Sequence, residues 1–335
     1  MSRTNRQFLL AKRPSGEPTA ETFERVERPV GEPGAGQVLI KNLYLSLDPA
    51  MRGWMNEGKS YIKPIGLGEV IRALGVGVGE VIASNHPDFQ PGDTVNGMLG
   101  IQDYYLGEPQ GCYKVDPSKA SLPQYLSVLG MTGLTAYFGL LEVGQPKAGE
   151  TLVVSGAAGA VGSMVGQIGK LQACHVVGIA GGAEKCRYLI EELGFDAAID
   201  YKAEPDLAAA LRRECPNGID VYFDNVGGPT LDAVLAQINF RARVVLCGAI
   251  SQYNSDKVQG PQNYLALLSN RARMEGFIVL DHAARYAEGQ RQLAIWLADG
   301  QLKSREHVVE GLDTFPQTLM KLFSGENFGK LVLKV

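Results

Sequence analysis

Short apolar runs separated by turn residues dominate the first part of the chain. Runs rich in β-branched and aromatic residues, bounded by Pro, Gly and Asp, are typical of strands joined by tight turns. The pattern predicts strands at residues 8–11, 37–47, 78–83, 94–98 and 112–115. Glycine and valine alternate over residues 75–79, which favours a tightly bent strand of a small barrel over a helix. We therefore expect a β-rich domain up to about residue 120.

From residue 151 to about residue 280, strand-like runs alternate with runs of helical spacing. The predicted strands lie at residues 152–155, 175–180, 197–200, 220–224, 244–247 and 276–280. The predicted helices, two of which precede this series, lie at residues 123–129, 132–143, 161–172, 184–193, 207–215, 229–238 and 264–272. Strands that alternate with helices predict an α/β domain with a doubly wound, Rossmann-type parallel sheet.

The tail of the chain no longer follows this alternation. Its pattern predicts a helix at 286–297, a strand at 307–310, a helix at 314–323 and a strand at 330–334. We expect the tail to return to the β-rich domain, which makes that domain discontinuous. The expected domains are residues 1–122 with 301–335, and residues 123–300.

Composition and charge narrow the class of protein. The 335 residues are 45% hydrophobic and carry a formal net charge of −4, which argues against nucleic acid or an anionic membrane surface as a partner. No apolar run approaches the roughly 18 residues of a membrane-spanning helix, and the first residues lack the apolar core of a signal peptide. We expect a soluble, cytoplasmic protein. Five widely spaced cysteines without a C-x-x-C pair argue against a disulfide framework or a structural zinc site.

Residues 151–170 combine a short apolar strand, a glycine-rich turn and the start of a helix. A dinucleotide-binding βα turn has this order, because the helix N-terminus presents unpaired N–H groups to a pyrophosphate. Gly159 allows the backbone to approach the phosphates, and Gly162 allows the helix to pack against the strand. Ala157 stands where the usual G-x-G-x-x-G has its first glycine. A simple tight turn is the alternative, but the alternating strands and helices around it favour a cofactor site.

The strand predicted at 175–180 bears on the choice of nicotinamide cofactor. A site for NAD usually has Asp or Glu at the end of this strand, where it accepts a hydrogen bond from the ribose 2′-hydroxyl. Here the strand ends Ala180-Gly181-Gly182, with no carboxylate. Lys185, expected in the first turn of the next helix, would meet the charge of a 2′-phosphate. The pattern favours NADP(H), with a solvated helix lysine as the alternative for Lys185.

Six motifs spread over both domains resemble those of one enzyme family. They read LDPAMRGW from Leu47, MTGLTAY from Met131, SGAAGAVGS from Ser155, YFDNVGG from Tyr222, CGAISQYN from Cys247 and GENFGK from Gly325. Over its full length the chain is similar to medium-chain dehydrogenases/reductases. Within them it closely resembles the zinc-independent prostaglandin reductase and 2-alkenal (double-bond) reductase group, which includes bacterial curcumin reductases. The resemblance implies a GroES-like β-rich catalytic domain beside the Rossmann-type domain.

The resemblance also assigns residues to an NADPH/NADP+ site. The pyrophosphate is expected at four successive residues, Gly159, Ala160, Val161 and Gly162, and the 2′-phosphate at Lys185 and Tyr201. Asn225 is expected at the carboxyl end of its strand, where such sheets bind ligands. The residues expected around the nicotinamide half are Cys247, Gly248, Ala249, Ile250, Ser251, Tyr253, Phe277, Ile278 and Val279, and Asn327 would reach the cofactor from the tail. The alternatives are a surface position for Tyr201 and plain core positions for Phe277 and Val279.

The zinc-dependent relatives of this group carry a Gly-His-Glu motif and a catalytic cysteine. The corresponding stretch here has Gly68 where the metal-binding histidine would stand. None of the four histidines (86, 175, 282 and 307) lies near cysteines and carboxylates with ligand spacing. We expect no metal site, which disfavours alcohol dehydrogenation and leaves reduction of an activated C=C bond.

The resulting hypothesis is NADPH-dependent reduction of small α,β-unsaturated ketones or aldehydes. Hydride delivery to the β-carbon builds negative charge on the carbonyl oxygen, which then needs a hydrogen-bond donor. Tyr253 is the first candidate for this catalytic donor and Tyr61 the second, with a packing role as the alternative for Tyr253. The competing functions are an NADPH-dependent quinone reductase and a crystallin-like protein that binds NADPH without catalysis. We also expect a homodimer that pairs the apolar strand at 276–280, since an exposed edge strand is a liability.

Overall fold

The computed structural model of the protein describes residues 3–72, 77–255 and 257–335. The chain divides into two units, Met1–Gly130 with Glu306–Val335, and Met131–Arg305. The first unit therefore contains both ends of the sequence, and the second contains the series of alternating strands and helices.

Strands and helices follow one another along the chain within these bounds. The strands are β1 (Thr4–Leu10), β2 (Phe23–Pro29), β3 (Val38–Ser46), β4 (Gly77–Ser84), β5 (Thr94–Gly97), β6 (Tyr104–Gly107), β7 (Tyr113–Lys114), β8 (Thr151–Ser155), β9 (His175–Ala180), β10 (Ala197–Asp200), β11 (Ile219–Asp224), β12 (Ile238–Leu246), β13 (Arg273–Gly276), β14 (Glu306–Glu310) and β15 (Lys330–Lys334). The α-helices are α1 (Ala50–Trp54), α2 (Met131–Phe138), α3 (Ala160–Leu171), α4 (Ala183–Arg187), α5 (Leu207–Glu214), α6 (Gly228–Leu235), α7 (Leu265–Ser269), α8 (Tyr286–Ala298) and α9 (Phe315–Ser324). Further turns of helix are the 3-10 segments Ala20–Thr22, Leu122–Leu126, Ile250–Gln252, Val279–Arg285 and Leu312–Thr314, and the π segments Gly139–Gly144 and Tyr188–Glu192.

The first unit is built on a sheet in the order β14-β15-β3-β4-β5-β7, with β6 also paired to β3. The pairs along it are antiparallel except that β14 runs parallel to β15. A separate antiparallel pair joins β1 to β2. Large apolar side chains from β1, β3, α1 and α9 fill the core, among them Phe8, Leu45, Trp54 and Phe315. This is the β-rich domain that the sequence predicts.

The glycines of β4 allow it to lie very close to β3. A methyl group on Gly79 would lie 2.5 Å from Cγ2 of Ile40 and 2.6 Å from the carbonyl oxygen of Lys41. No residue with a Cβ fits at that position without a shift of the backbone. Gly75 and Val76, at the start of the predicted bent strand, lie outside the described residues.

The tail packs into the first unit through β15. This strand pairs antiparallel with β3, with Val332 opposite Ser46. Lys330 is only 2% exposed, and its ammonium donates hydrogen bonds to the carbonyl oxygen of Leu47 at 3.0 Å and to Oδ1 of Asp48 at 2.6 Å. A buried ammonium needs partners of this kind, because an unpaired charge inside a protein is costly.

The second unit is built on a parallel sheet in the order β10-β9-β8-β11-β12-β13. The strand order reverses direction between β8 and β11, as in a doubly wound fold, and the carboxyl ends of all six strands share one edge. All five residues of β8 are buried, as expected for a central strand covered on both faces. The Rossmann-type architecture predicted from the sequence is confirmed.

The strand predicted at residues 276–280 is wrong. In the structure β13 ends at Gly276 and a 3-10 helix begins at Val279. Gly276 is paired with Leu246, the last residue of β12, so the partner strand ends there and only the N–H of Phe277 still bonds to Leu246. Phe277 and Val279 are 6% and 8% exposed. The apolar run is therefore buried by packing and not by strand pairing.

Some helix bounds also differ from the predictions. The helix predicted at 132–143 is α-helical only to Phe138 and continues as a π segment. The helix predicted at 229–238 ends at Leu235, since Ile238 already begins β12. The short strand β2 was not predicted because its sequence is mostly charged, and most of its residues are exposed.

Candidate functional site

The glycine-rich turn between β8 and α3 has the geometry of a tight strand-to-helix connection. Gly156 has φ of +58°, the left-handed conformation that glycine adopts without strain. A methyl group on Gly162 would lie 2.4 Å from the carbonyl oxygen of Gly156, so the first turn of α3 packs directly on the turn residue. Ala157 is fully buried. The conformational role of the first glycine is thus taken by Gly156, one residue before Ala157, which sequence reasoning did not single out.

The N-terminus of α3 presents backbone N–H groups. Gly159 is its N-cap and has an extended conformation, and within the described residues no side chain caps the helix. Ala160, Val161 and Gly162 occupy the first turn, where N–H groups have no partner four residues earlier in the helix. Together with the positive end of the helix dipole, these groups form a site that favours an anion such as a pyrophosphate.

Asp224, at the carboxyl end of β11, connects this turn to its neighbours. Its side chain is fully buried, and its Oδ1 accepts hydrogen bonds from Oγ of Ser155 at 3.0 Å and from the hydroxyl of Tyr222 at 2.7 Å. The same oxygen accepts the N–H groups of Val226 and Gly227 at 3.0 and 2.9 Å. Burial raises the pKa of the Asp224 carboxyl above its ordinary value. Among the described residues, Oδ2 has no hydrogen-bond partner.

Asn225 lies beside the glycine turn. Its backbone N–H donates to Oγ of Ser155 at 2.9 Å, and its Nδ2 donates to the carbonyl oxygen of Ser155 at 2.7 Å. A methyl group on Gly156 would lie 3.5 Å from Cβ of Asn225. The structure therefore brings the predicted residue Asn225 to the same edge as the turn, where ligands bind in such sheets.

The segment Cys247–Ser251 lies on the loop that follows β12. The N–H groups of Cys247 and Gly248 both donate to the carbonyl oxygen of Asp224 at 3.0 Å. Ile250 donates to Asn225 at 3.1 Å, and Oγ of Ser251 donates to the carbonyl oxygen of Val226 at 2.6 Å. Burial raises the pKa of the Cys247 thiol to about 12, so this sulfur is a protonated, poorly nucleophilic group.

Tyr253 folds back over the same segment. Its hydroxyl oxygen accepts a hydrogen bond from the N–H of Ala249 at 3.2 Å. A methyl group on Gly248 would lie 3.1 Å from this hydroxyl, so glycine leaves the room that the phenol uses. A phenol can both accept and donate a hydrogen bond, so Tyr253 has the chemistry to interact with an oxygen that gains negative charge.

Polar side chains from two segments, α4 and the loop after β10, lie near the carboxyl end of β9. Lys185 lies on α4 and is partly buried. Burial and the nearby positive charge of Lys202 lower the pKa of Lys185. Tyr201, 49% exposed, lies with Lys202 next to Gly181, since a methyl group there would lie 2.9 Å from the Tyr201 ring and 3.0 Å from Cε of Lys202. The structure thus places Tyr201 and Lys202 beside Gly181, two residues before the helix that carries Lys185. Sequence reasoning did not assign Lys202.

The predicted residues Phe277, Ile278 and Val279 lie directly after the edge strand β13. The N–H of Phe277 donates to the carbonyl oxygen of Leu246 at 3.1 Å, which places it one strand along the sheet edge from Cys247. Its ring packs near His282, with 5.4 Å between the ring centroids. Because Phe277 and Val279 are buried, their side chains contribute to the core of the unit.

Tyr61 and Asn327 belong to the first unit. The hydroxyl of Tyr61 accepts a hydrogen bond from Nε1 of Trp54 at 3.1 Å, and the two rings meet edge to face at 6.5 Å. Tyr61 is 50% exposed. Nδ2 of Asn327 donates to the carbonyl oxygen of Gly329 at 3.2 Å. Both side chains are therefore oriented by their own segments.

Within residues 3–72, 77–255 and 257–335, no three His, Cys, Asp or Glu side chains form a group that could hold a metal ion. Gly68, at the position of the histidine in zinc-dependent relatives, has φ of +75°. The carboxylate of the next residue, Glu69, accepts the N–H of Gly66 at 2.9 Å and so closes a turn. In the same part of the chain, no helix is both long and apolar enough to cross a membrane.

Two family models match the chain, one in each unit. Residues 6–115 match the family described as the N-terminal domain of oxidoreductase. Residues 160–294 match the family described as zinc-binding dehydrogenase. The first match lies within the β-rich unit, and the second begins at α3 and lies within the unit of the parallel sheet.

Relatives and a solved structure extend the similarity over nearly the whole chain. NADP-dependent oxidoreductase YfmJ of Bacillus subtilis is 48% identical, with 100% of this chain and 99% of the relative covered. NADPH-dependent curcumin reductase of Escherichia coli is 47% identical (99% and 97% covered), and NADP(+)-dependent 2-alkenal reductase of Nicotiana tabacum is 43% identical (99% and 98%). The crystal structure of CurA from Vibrio vulnificus in complex with NADPH superposes with a TM-score of 0.93 at 47% identity, covering 98% of this chain and 99% of that one. The chain belongs to the medium-chain dehydrogenase/reductase family, in the group that includes the curcumin, 2-alkenal and prostaglandin reductases.

Proposed function

We propose that this protein reduces the C=C bond of α,β-unsaturated ketones and aldehydes with NADPH. The observation that carries the proposal is identity of 43% or more, over almost the full length, to a curcumin reductase and a 2-alkenal reductase. A 2-alkenal is an α,β-unsaturated aldehyde, and curcumin contains the same conjugated C=C–C=O unit. The site residues at the carboxyl edge of the parallel sheet have the chemistry that this reaction requires.

The residues proposed to hold NADPH lie along that edge in the order of its strands. The N–H groups of Ala160, Val161 and Gly162 would bind the pyrophosphate, and Lys185 with Tyr201 the 2′-phosphate. Asn225, Cys247–Ser251 and Phe277–Val279 would line the nicotinamide half. The proposal for Asn327 rests on the family resemblance of its motif. NADPH, when bound, supplies the hydride.

Tyr253 is the proposed hydrogen-bond donor to the substrate carbonyl. As negative charge grows on the carbonyl oxygen, a positioned O–H group lowers the energy of the transition state. The hydrogen bond from Ala249 N–H to the phenol oxygen holds that group in one orientation and stabilises the negative charge that the oxygen takes on as its hydrogen is shared. Tyr61 remains the second candidate, since its hydroxyl is likewise held by an N–H donor, Nε1 of Trp54.

A product-resolved screen tests this function. Purified protein is incubated with NADPH and a simple enone, a 2-alkenal, curcumin or a quinone, with NADH as the cofactor control. We expect NADPH oxidation with the enone and the alkenal, and a saturated ketone or aldehyde as the product identified by mass spectrometry and NMR. Turnover of the quinone alone would support the quinone reductase instead. An allylic alcohol as product would contradict C=C reduction.

We also propose a homodimer formed through β13, the edge strand of the parallel sheet. Arg273 and Glu275 lie on either side of Met274 in this strand, so antiparallel pairing about a two-fold axis at Met274 would set each Arg273 opposite the partner's Glu275. The preceding helix α7 exposes apolar side chains, with Leu265 58% and Leu268 75% exposed. Light scattering should give about twice the chain mass of 36.0 kDa. A mass equal to one chain would contradict the dimer.

The cytoplasmic location stays a prediction.

A further inference from the structure

Gly181 marks the point where two neighbouring side chains of the loop after β10 converge on the end of β9. A methyl group on Gly181 would lie 3.0 Å from the Tyr201 hydroxyl oxygen and 3.0 Å from Cε of Lys202. Both side chains thus lie at about van der Waals contact distance from the position that this methyl group would take. Lys185 belongs to the helix that begins two residues after Gly181. Two side chains of the loop after β10 therefore lie at the carboxyl end of β9, next to the helix that carries Lys185.

Two lysines contribute positive charge to this end of the sheet. After burial, the positive charge of Lys202 is the next cause that lowers the pKa of Lys185, and the carboxylate of Glu184 acts in the opposite direction. Lys202 itself is exposed. Positive charge held at one place favours a bound anion.

The nearby acid, Asp200, has another role. Its Oδ1 accepts the N–H of Gly182 at 2.8 Å and the N–H of Lys202 at 3.0 Å. The carboxylate thus ties the loop after β9 to the loop after β10. It holds the backbone of Lys202 next to the start of α4, and the side chain of Lys202 extends from that fixed position.

We propose that Lys202 is a second cation for the 2′-phosphate of NADP(H) and contributes to the discrimination against NAD(H). The inference rests on the proposed use of NADPH and on the proposed role of Lys185. A phosphate monoester carries close to two negative charges near neutral pH, so one lysine balances about half of them. Lys202 supplies the second positive charge, and the Tyr201 hydroxyl beside it supplies a neutral donor.

Binding of nucleotide fragments tests the role without any catalytic assay. Isothermal titration calorimetry measures the affinity of the full chain for 2′,5′-ADP and for 5′-AMP, which differs from it only in lacking the 2′-phosphate. We expect the wild type to prefer 2′,5′-ADP, and Lys202→Met to reduce that preference about tenfold, as for loss of one charge-assisted hydrogen bond. Affinity for 5′-AMP should not change. Lys202→Arg should retain most of the preference, because it keeps the charge.

The matched control is Lys147→Met. Lys147 is an exposed lysine of the same unit, in the loop before β8, so it lies at the opposite edge of the parallel sheet. This variant loses the same unit of charge and should bind both fragments as the wild type does. The dependence of 2′,5′-ADP affinity on salt concentration should become shallower in Lys202→Met and stay unchanged in Lys147→Met.

Several results would overturn the inference. Unchanged 2′,5′-ADP affinity in Lys202→Met would show that this lysine does not contact the phosphate. An equal loss for both fragments would indicate a structural role for Lys202. A wild type that binds both fragments equally would reject the 2′-phosphate site as a whole. None of these results depends on enone turnover, so the proposed reaction can fail or succeed separately.

Discussion

At the scale of single residues, hydrogen bonds determine which side chains are available for chemistry. Tyr253 and Asp224 show the contrast within one stretch of sheet edge. The phenol oxygen of Tyr253 receives a backbone N–H, and this residue is the proposed donor to the substrate. Asp224 uses one oxygen for four donors and holds two loops together. Asp224 thus positions its neighbours.

Replacing Tyr253 with Phe removes the proposed donor and keeps the ring. We expect kcat for a simple enone to fall on the order of a hundredfold, as is typical when one oxyanion donor is lost. NADPH affinity, measured by fluorescence titration, should change little. Tyr264→Phe, which removes the hydroxyl of an exposed tyrosine in the same unit, is the control. Unchanged turnover in Tyr253→Phe would move the donor role to Tyr61.

Asp224 predicts a pH effect on stability whose sign follows from burial. Its folded-state pKa is raised above the ordinary carboxyl value. Folding therefore favours the protonated form, and stability is lost as the pH rises through the folded-state pKa. Asn at this position keeps an acceptor oxygen but cannot ionise. The difference in the free energy of unfolding, Asp224→Asn minus wild type, should therefore increase as the pH rises, because only the wild type loses stability through this group.

Urea unfolding of Asp224→Asn and wild type at a series of pH values measures this difference. The substitution also buries the N–H groups of a side-chain amide. This burial should change the free energy of unfolding by the same amount at every pH. The change of the difference with pH reports the titration of Asp224. Parallel stability curves over the whole pH range would show that the carboxyl keeps its ordinary pKa after folding.

At the scale of elements, β15 carries two lysine–carboxylate ion pairs that differ in how much they stabilise the protein. Lys330 and Lys334 lie at the two ends of this strand, each paired with a carboxylate. In the first pair the side chains of Lys330 and Asp48 are 2% and 15% exposed. In the second pair the side chains of Lys334 and Glu310 are 45% and 75% exposed. Solvent screens the second pair almost completely, whereas the first connects the tail to the core of the β-rich unit.

Lys330→Met should destabilise the protein by about 3 kcal/mol, because it leaves the Asp48 carboxylate and the Leu47 carbonyl without their buried donor. Lys334→Met should cause a much smaller loss, since its ammonium is solvated. Chemical denaturation followed by circular dichroism compares the two variants. Equal losses would indicate that the buried pair contributes no more than a surface pair.

At the scale of the whole molecule, the reactivity of the five cysteine thiols reports on the folding of each unit. Burial raises the pKa of Cys112, Cys174 and Cys186 to about 11, and that of Cys215 and Cys247 to about 12. Cys112 belongs to the first unit and the other four to the second. Because thiolate is the reactive form, each cysteine is protected as long as its own unit is folded.

Alkylation with iodoacetamide at pH 7.5 should be at least about a hundredfold slower in the native protein than in concentrated urea, as two or more pKa units imply. Peptide mass spectrometry across a urea series gives the labelling of each site. Labelling of Cys112 at a different urea concentration from the other four would show that the two units unfold separately. Rapid labelling of any native site would contradict its burial.

Much of the fold follows from local pattern, and the errors have a common cause. The strand at 330–334 agrees with β15 at both ends, because apolar alternation and flanking polar residues mark it clearly. The strand at 276–280 was misplaced because its residues are apolar, whereas β13 begins with Arg273 and contains Glu275. Whether a run pairs as a strand depends on where its neighbour ends, here at Leu246, and periodicity carries no such information.

Local sequence pattern predicts the alternation that builds the parallel sheet, the glycine turn after β8 and the missing carboxylate after β9. These features depend on the period of apolar positions and on backbone preferences within a few residues. The contact of Ser155 with Asp224, 69 residues away, and the approach of Tyr201 and Lys202 to Gly181 depend instead on the tertiary structure. The physical reason is the strand order: β8 lies between β9 and β11, and β10 lies beyond β9. That order brings the ends of distant segments together at the edge where the cofactor is proposed to bind.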